Sequence, residues 1–156
     1  MSDKLELFER LYQLNDDYHN KKEQMIWLGT TVFLGFTIAS AKWIVDSKAI
    51  LLPYRLYIAT FLSIVALLAF VFVYLQNRYK CQSADVTGKM NALIGRFDKE
   101  KTLSFAAIEQ ASKSPRYSLF QSIKTQFKLG KPGLVCMLII AIFAAADMIF
   151  LFKIDP

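Results

Sequence analysis

The hydrophobic positions of this chain follow two patterns, and the change from one to the other divides it. Residues 56–75 carry no charged side chain, and the run from Ile58 to Tyr74 is apolar on every side. A helix lying on a surface keeps a polar stripe, so an all-round apolar helix of about 20 residues is expected to cross a bilayer. Tyr57 and Tyr74 would stand about 25 Å apart on it, placing amphipathic rings at the two interfaces. Residues 25–45 repeat the design with Trp27 and Trp43, about 24 Å apart. A third apolar run covers residues 134–152 and is interrupted by a single charge, Asp147.

Elsewhere the pattern is amphipathic. Within residues 3–24, Leu7, Leu11, Leu14 and Tyr18 recur at helical spacing. They predict a helix with a short coiled-coil-like seam, capped by Ser2 or Asp3 and running without Pro or Gly into the first span. Between the second and third spans, Val86, Met90, Leu93 and Phe97 share one helix face. Thr102 is a candidate N-cap for a second helix through Ala111, which Ser114-Pro115 would end. A third helix is predicted from Arg116 to Leu129, stopping at Gly130-Lys131-Pro132-Gly133.

The expected fold is an all-α integral membrane protein with three transmembrane helices and a cytosolic helical segment between the second and third. Its expected parts are residues 1–24, a cytosolic amphipathic helix, and 25–75, a transmembrane hairpin. Residues 76–132 then form a cytosolic helical region, and 133–156 the third span and outer tail. In the first span Thr31, Gly35 and Ala39 lie at i, i+4 and i+8. Lipid gives helices no hydrophobic reason to associate, so small residues that let backbones approach mark a packing face. Its partner is either the second span or the same span of another copy, which makes a homo-oligomer a candidate assembly.

Composition agrees with this reading, since 54% hydrophobic residues and a mean hydropathy of +0.32 are high for a chain that is 21% charged. The small residues Ala39-Ser40-Ala41 resemble a leader cleavage site. The acids of residues 1–24 are foreign to a basic leader, however, so an uncleaved span is expected. The positions of the charges set orientation. Of the 19 Lys and Arg residues, fifteen fall in residues 1–24 and 76–132. Basic loops stay inside, so these segments are expected in the cytoplasm of a plasma (inner) membrane, with the C-terminus outside.

Residues 111–131 hold Lys113, Arg116, Lys124, Lys128 and Lys131 and no acid. Arg116, Lys124, Lys128 and Lys131 accompany an apolar face of Leu119, Phe120, Ile123 and Phe127, a combination suited to an anionic inner leaflet. Nucleic acid is not expected as a partner, because no recognition fold accompanies the basic patch. Asp147 is the ionisable residue inside a span, where a charge costs about 2.5–3.5 kcal/mol and usually faces a partner or a cavity. The outer ends of the other spans offer Lys42, Arg55, Thr37, Ser40 and Thr60 at that depth, and a pair with Lys42 or Arg55 would dock the third span on the hairpin.

Chemistry-bearing motifs are sparse. His19 is the one histidine, and with Asp16 and Glu23 on its face it makes too weak a set to assign a metal. Cys81 and Cys136 are too few for a disulfide framework and are expected as free thiols. No phosphate-binding glycine loop, G-x-S-x-G or paired-cysteine motif occurs, so neither catalysis nor a cofactor is expected.

The layout of residues 5–110, a flanking helix, a two-helix membrane hairpin and a cytosolic helical extension, is similar to that of the SLATT-type bacterial membrane proteins. The third span lies outside that pattern. The resemblance implies a pore-forming effector in bacterial conflict systems. The residues themselves favour a membrane-anchored interaction protein with a cytosolic protein partner, because Thr30, Thr31, Thr37 and Ser40 give the first span only a faint polar stripe. A reporter active only outside the cytoplasm, fused after Pro156, is expected to work, and a cytoplasm-only reporter there to stay silent. The reverse result overturns the orientation.

Overall fold

The computed structural model describes residues 2–47, 51–100, 104–113, 121, 124–127 and 130–153. Helix α1 spans Ser2–Asp46, a 3-10 turn Leu52–Tyr54, α2 Arg55–Glu100, α3 Phe105–Ser112 and α4 Lys131–Lys153. Residues 124–127 are also helical, and no strand occurs among the described residues. Three of the helices are long and apolar enough to cross a membrane.

The lengths of α1 and α2, 45 and 46 residues, follow from the absence of proline in either. The predicted amphipathic helix and first span are thus one helix, as are the second span and the helix that carries Val86 and Met90. Helix α3 starts later than expected. Its N-cap is Ser104, whose hydroxyl accepts the Ala107 N–H at 3.1 Å and satisfies a donor the helix cannot. Thr102, Ser114-Pro115 and most of the third predicted cytosolic helix lie outside the described residues. Of the predicted stop at residues 130–133, only Gly130 precedes α4. Pro132 sits in the first turn, where its missing N–H would have had no intrahelical acceptor.

The chain divides into two compact units. Unit 1 comprises Met1–Gln24 and Asn77–Lys131, and unit 2 comprises Met25–Gln76 and Pro132–Pro156, so α1 and α2 contribute to both.

In unit 2, Ile26, Phe33, Val73, Cys136, Met137 and Ile140 form one buried cluster, and Ile44, Ala59, Leu62 and Leu151 form another. These groupings set α1 antiparallel to α2 and parallel to α4. Helix α1 turns inward along Ile26, Thr30, Phe33, Thr37 and Ile44. Its close approach is at Gly29, where a Cβ would meet the Phe72 ring at 2.7 Å. Thr31, Gly35 and Ala39 are exposed, and a Cβ on Gly35 would meet nothing within 4 Å. The small-residue stripe therefore does not pack on the second span. The adjacent face wins because Ile26 and Phe33 bury more apolar surface there than small side chains could.

Unit 1 is built on Phe8, Val86, Met90, Ile108 and Ala111, with Leu11, Tyr12 and Leu93 packed around them. The helix face carrying Val86, Met90 and Leu93 is the expected one. The seam on α1 is met in part: Leu11 packs on this core, and the side chain of Leu7 is outside the described ones. Leu14 is 66% exposed and Tyr18 42%, while Phe8 and Tyr12 turn inward. At the next level α2 presents Ser83 and Thr87, so Asn15 faces it in place of Leu14.

Gly29→Leu is expected to lower stability by about 1–3 kcal/mol, since the side chain must displace Phe72. Gly35→Leu should stay within about 0.5 kcal/mol for the monomer. Equal losses in reversible unfolding in detergent would show that the packing face is assigned wrongly.

Candidate functional site

Unit 1 holds a line of polar side chains between its segments of α1 and α2. Asn15 donates through Nδ2 to the Ser83 carbonyl at 3.0 Å and to the Thr87 hydroxyl. Ser83 Oγ lies 2.9 Å from the Asn15 carbonyl and 2.8 Å from its Oδ1, both acceptors for its proton. Two turns along α1, Glu23 Oε2 lies 2.6 Å from Lys80 Nζ, whose side chain is only 6% exposed. Burying an ammonium is tolerable when a carboxylate meets it, and costly when that partner is removed. His19 lies between these contacts on α1, half-buried, its Nδ1 sealed from solvent without a hydrogen bond among the described residues. Lys22 lies 4.9 Å from the Tyr18 ring centroid and 5.5 Å from that of Tyr79, within cation–π range.

The segment 124–127 joins unit 1 through a polar side chain. Gln126 is 2% exposed and accepts from Asn77 Nδ2 at 3.2 Å, whereas Phe127 is 68% exposed. The expected apolar face thus points outward at Phe127, because the partner surface at Asn77 is polar. A Cβ at Gly130 would lie 2.6 Å from Asn77 Nδ2, so glycine allows this approach. Lys124 and Lys131 are exposed, and Arg116 and Lys128 lie outside the described residues. Nearby elements of unit 1 form a groove of about 370 Å³, with Lys89, Leu93 and Arg96 from α2 and Ala107 and Gln110 from α3. Lys89 pairs with Asp85 at 2.9 Å.

In unit 2 the intramembrane pairing expected of Asp147 is not formed. Asp147 has no ion-pair partner among the described residues; Lys42 is exposed, and the Arg55 guanidinium lies 5.9 Å from the Phe152 ring centroid. The register of α4 explains this for Arg55, and the rotation of α1 for Lys42. Leu151 packs with Ile44 and Ala59, so Asp147, one turn before it, falls well short of Arg55, whereas Lys42, near the level of Asp147, is on an exposed face of α1.

Asp147 is 9% exposed and lines a cavity of about 360 Å³ together with Thr37 and Ser63. The remaining walls are apolar, including Phe33, Phe36, Phe70 and Met148. Ser63 donates to the Ala59 carbonyl at 2.8 Å, leaving its oxygen as an acceptor. Thr37 is 3% exposed, and its hydroxyl has no hydrogen-bond partner among the described residues. Asp147 and Thr37 of this set were legible, Thr37 as a side chain offered at the depth of Asp147. Ser63 looked like an ordinary span hydroxyl until three helices brought it to the same cavity.

Cys81 and Cys136 are buried free thiols, one in each unit. No group of three or more metal-ligating side chains occurs among the described residues. No family model, curated protein or solved structure matches this chain.

Removing the partner of the buried ammonium should cost more than removing the ammonium itself. Glu23→Ala is expected to destabilise by about 2–4 kcal/mol, with Lys80→Met milder. Chemical denaturation that ranks the two the other way would contradict the buried pair.

Proposed function

We propose that this chain is a non-catalytic, membrane-anchored interaction protein. Unit 2 crosses the plasma (inner) membrane as three spans, and unit 1 serves as a binding module on the cytoplasmic side, with the C-terminus outside. One observation carries the reading. Among the described residues, large exposed apolar side chains outside unit 2 are limited to Leu14, Tyr18, Tyr79, Ile94 and Phe127. Unit 2 turns outward residues such as Leu28, Val32, Ile38, Leu56, Phe61, Leu67, Leu138 and Ile149, a surface that water would not solvate and lipid would.

Three hydroxyls of unit 2 support an anchor over a channel. Thr30 donates to the Ile26 carbonyl at 2.8 Å, Thr60 to Leu56 at 2.9 Å and Ser63 to Ala59 at 2.8 Å. Each closes on its own helix and calls for no water column. The groove lined by Lys89, Arg96 and Leu93 offers a cytosolic protein partner a place for an acidic, partly apolar segment. Exposed Lys124, Lys131 and Phe127 suit contact with an anionic inner leaflet. The outward Thr31, Gly35 and Ala39 face leaves lateral self-association open to the anchor as well.

Reconstituted protein is expected to leave dye-loaded vesicles sealed. A photo-crosslinking residue at Gln110 in cells should give a discrete adduct that Arg96→Glu removes. Leakage that disappears on Gly35→Leu would replace this function with the pore, and sealed vesicles without an adduct would remove the binding role of the groove.

A further inference from the structure

We infer that the cavity lined by Asp147 in unit 2 is a binding site for a lipophilic organic cation. The inference rests on unit 2 lying in a membrane, but not on any partner-binding role of unit 1. The charge is the first argument. Asp147 is 9% exposed, and no basic side chain is among the described residues lining the cavity, so a cationic ligand would supply the counter-charge that those residues do not.

The walls select the kind of cation. A metal ion such as calcium takes about 6–8 oxygen ligands, and this cavity offers one carboxylate and two hydroxyls among apolar walls. An organic cation needs no such shell. Phe33, Phe36 and Phe70 line the space, and aromatic faces attract a diffuse positive charge. A volume of about 360 Å³ lies in the range of small-molecule sites, roughly 300–1,000 Å³. The apolar body of the ligand would fill the space against the rings and Met148, with its charge beside Asp147. Ser63, whose proton is committed to Ala59, presents a further acceptor oxygen. A lipid chain could fill the same volume but would leave the carboxylate against hydrocarbon, and a neutral ligand without a hydrogen-bond donor would do the same.

Methyltriphenylphosphonium and its neutral near-isostere triphenylphosphine oxide test this on the full chain in phosphatidylcholine nanodiscs. Equilibrium dialysis, with empty nanodiscs subtracted, is expected to show saturable binding of the cation. Asp147→Asn should weaken it by at least about ten-fold, since one member of a desolvated charge pair is lost. Asp147→Glu should retain it. Ala145→Phe, at an exposed position on the cavity wall, should block binding with Asp147 intact. Equal affinity of the wild-type chain for the cation and the phosphine oxide overturns the proposal without relying on any variant. So does undiminished cation binding in folded, monodisperse Asp147→Asn. Either result would mark the cavity as a space for lipid chains.

Discussion

Each unit of this protein depends on the antiparallel pairing of α1 with α2. The connection is short: α1 ends at Asp46, the Ser47 N–H donates to the Trp43 carbonyl at 3.0 Å, and α2 begins at Arg55 after the 3-10 turn. Two helices joined so closely must lie side by side, and the remaining choice is which faces meet. In unit 2 that choice is made by Ile26, Phe33 and Val73, with Gly29 making room for Phe72. In unit 1 it is made by Phe8 against Val86 and Met90. The third elements, α4 in one unit and α3 in the other, then fill the groove that each pairing leaves.

The two units treat polar groups in opposite ways, and the difference follows from what surrounds them. In unit 2 the hydroxyls of Thr30, Thr60 and Ser63 return to carbonyls of their own helices, which removes a polar demand locally and specifies nothing about neighbours. In unit 1 Asn15, Ser83 and Thr87 satisfy one another across helices, as do Glu23 and Lys80. Such a network tolerates little change of register, because shifting one helix strands several buried groups at once. Thr37 and Asp147 are exceptions in unit 2, and both line the cavity. The carboxylate can neither return to its own backbone as a hydroxyl does nor reach a basic side chain among the described residues.

Much of the architecture could be read from the chain itself. All-round apolar runs near bilayer length demand helices, since only there does the backbone satisfy its own hydrogen bonds in lipid. The absence of proline and glycine between the amphipathic stretch and the first span made the continuity of α1 legible, whereas the stretch after the second span read as a separate helix. Asp147 stood out because a charge in such a run is costly wherever it goes. The face carrying Val86, Met90 and Leu93 was equally plain, because apolar side chains recur there at helical spacing against polar neighbours.

What the chain alone did not determine was the identity of each partner. Leu14 and Asn15 are neighbours about 100° apart on α1, and periodicity favoured the leucine. The structure chose asparagine because Ser83 and Thr87 lie opposite. The small stripe of Thr31, Gly35 and Ala39 was a sound packing signal, yet the neighbouring face buries more apolar area and takes the contact within the chain. For Asp147 the deciding quantities were the axial register of α4 and the rotation of α1 that exposes Lys42, which no one-dimensional pattern encodes. Along their helices Lys42 stands about 7.5 Å from Thr37, and Arg55 about 12 Å from Ser63. Sequence determined that a carboxylate would be buried in an apolar helix; tertiary packing decided that it would meet a cavity and not a salt bridge.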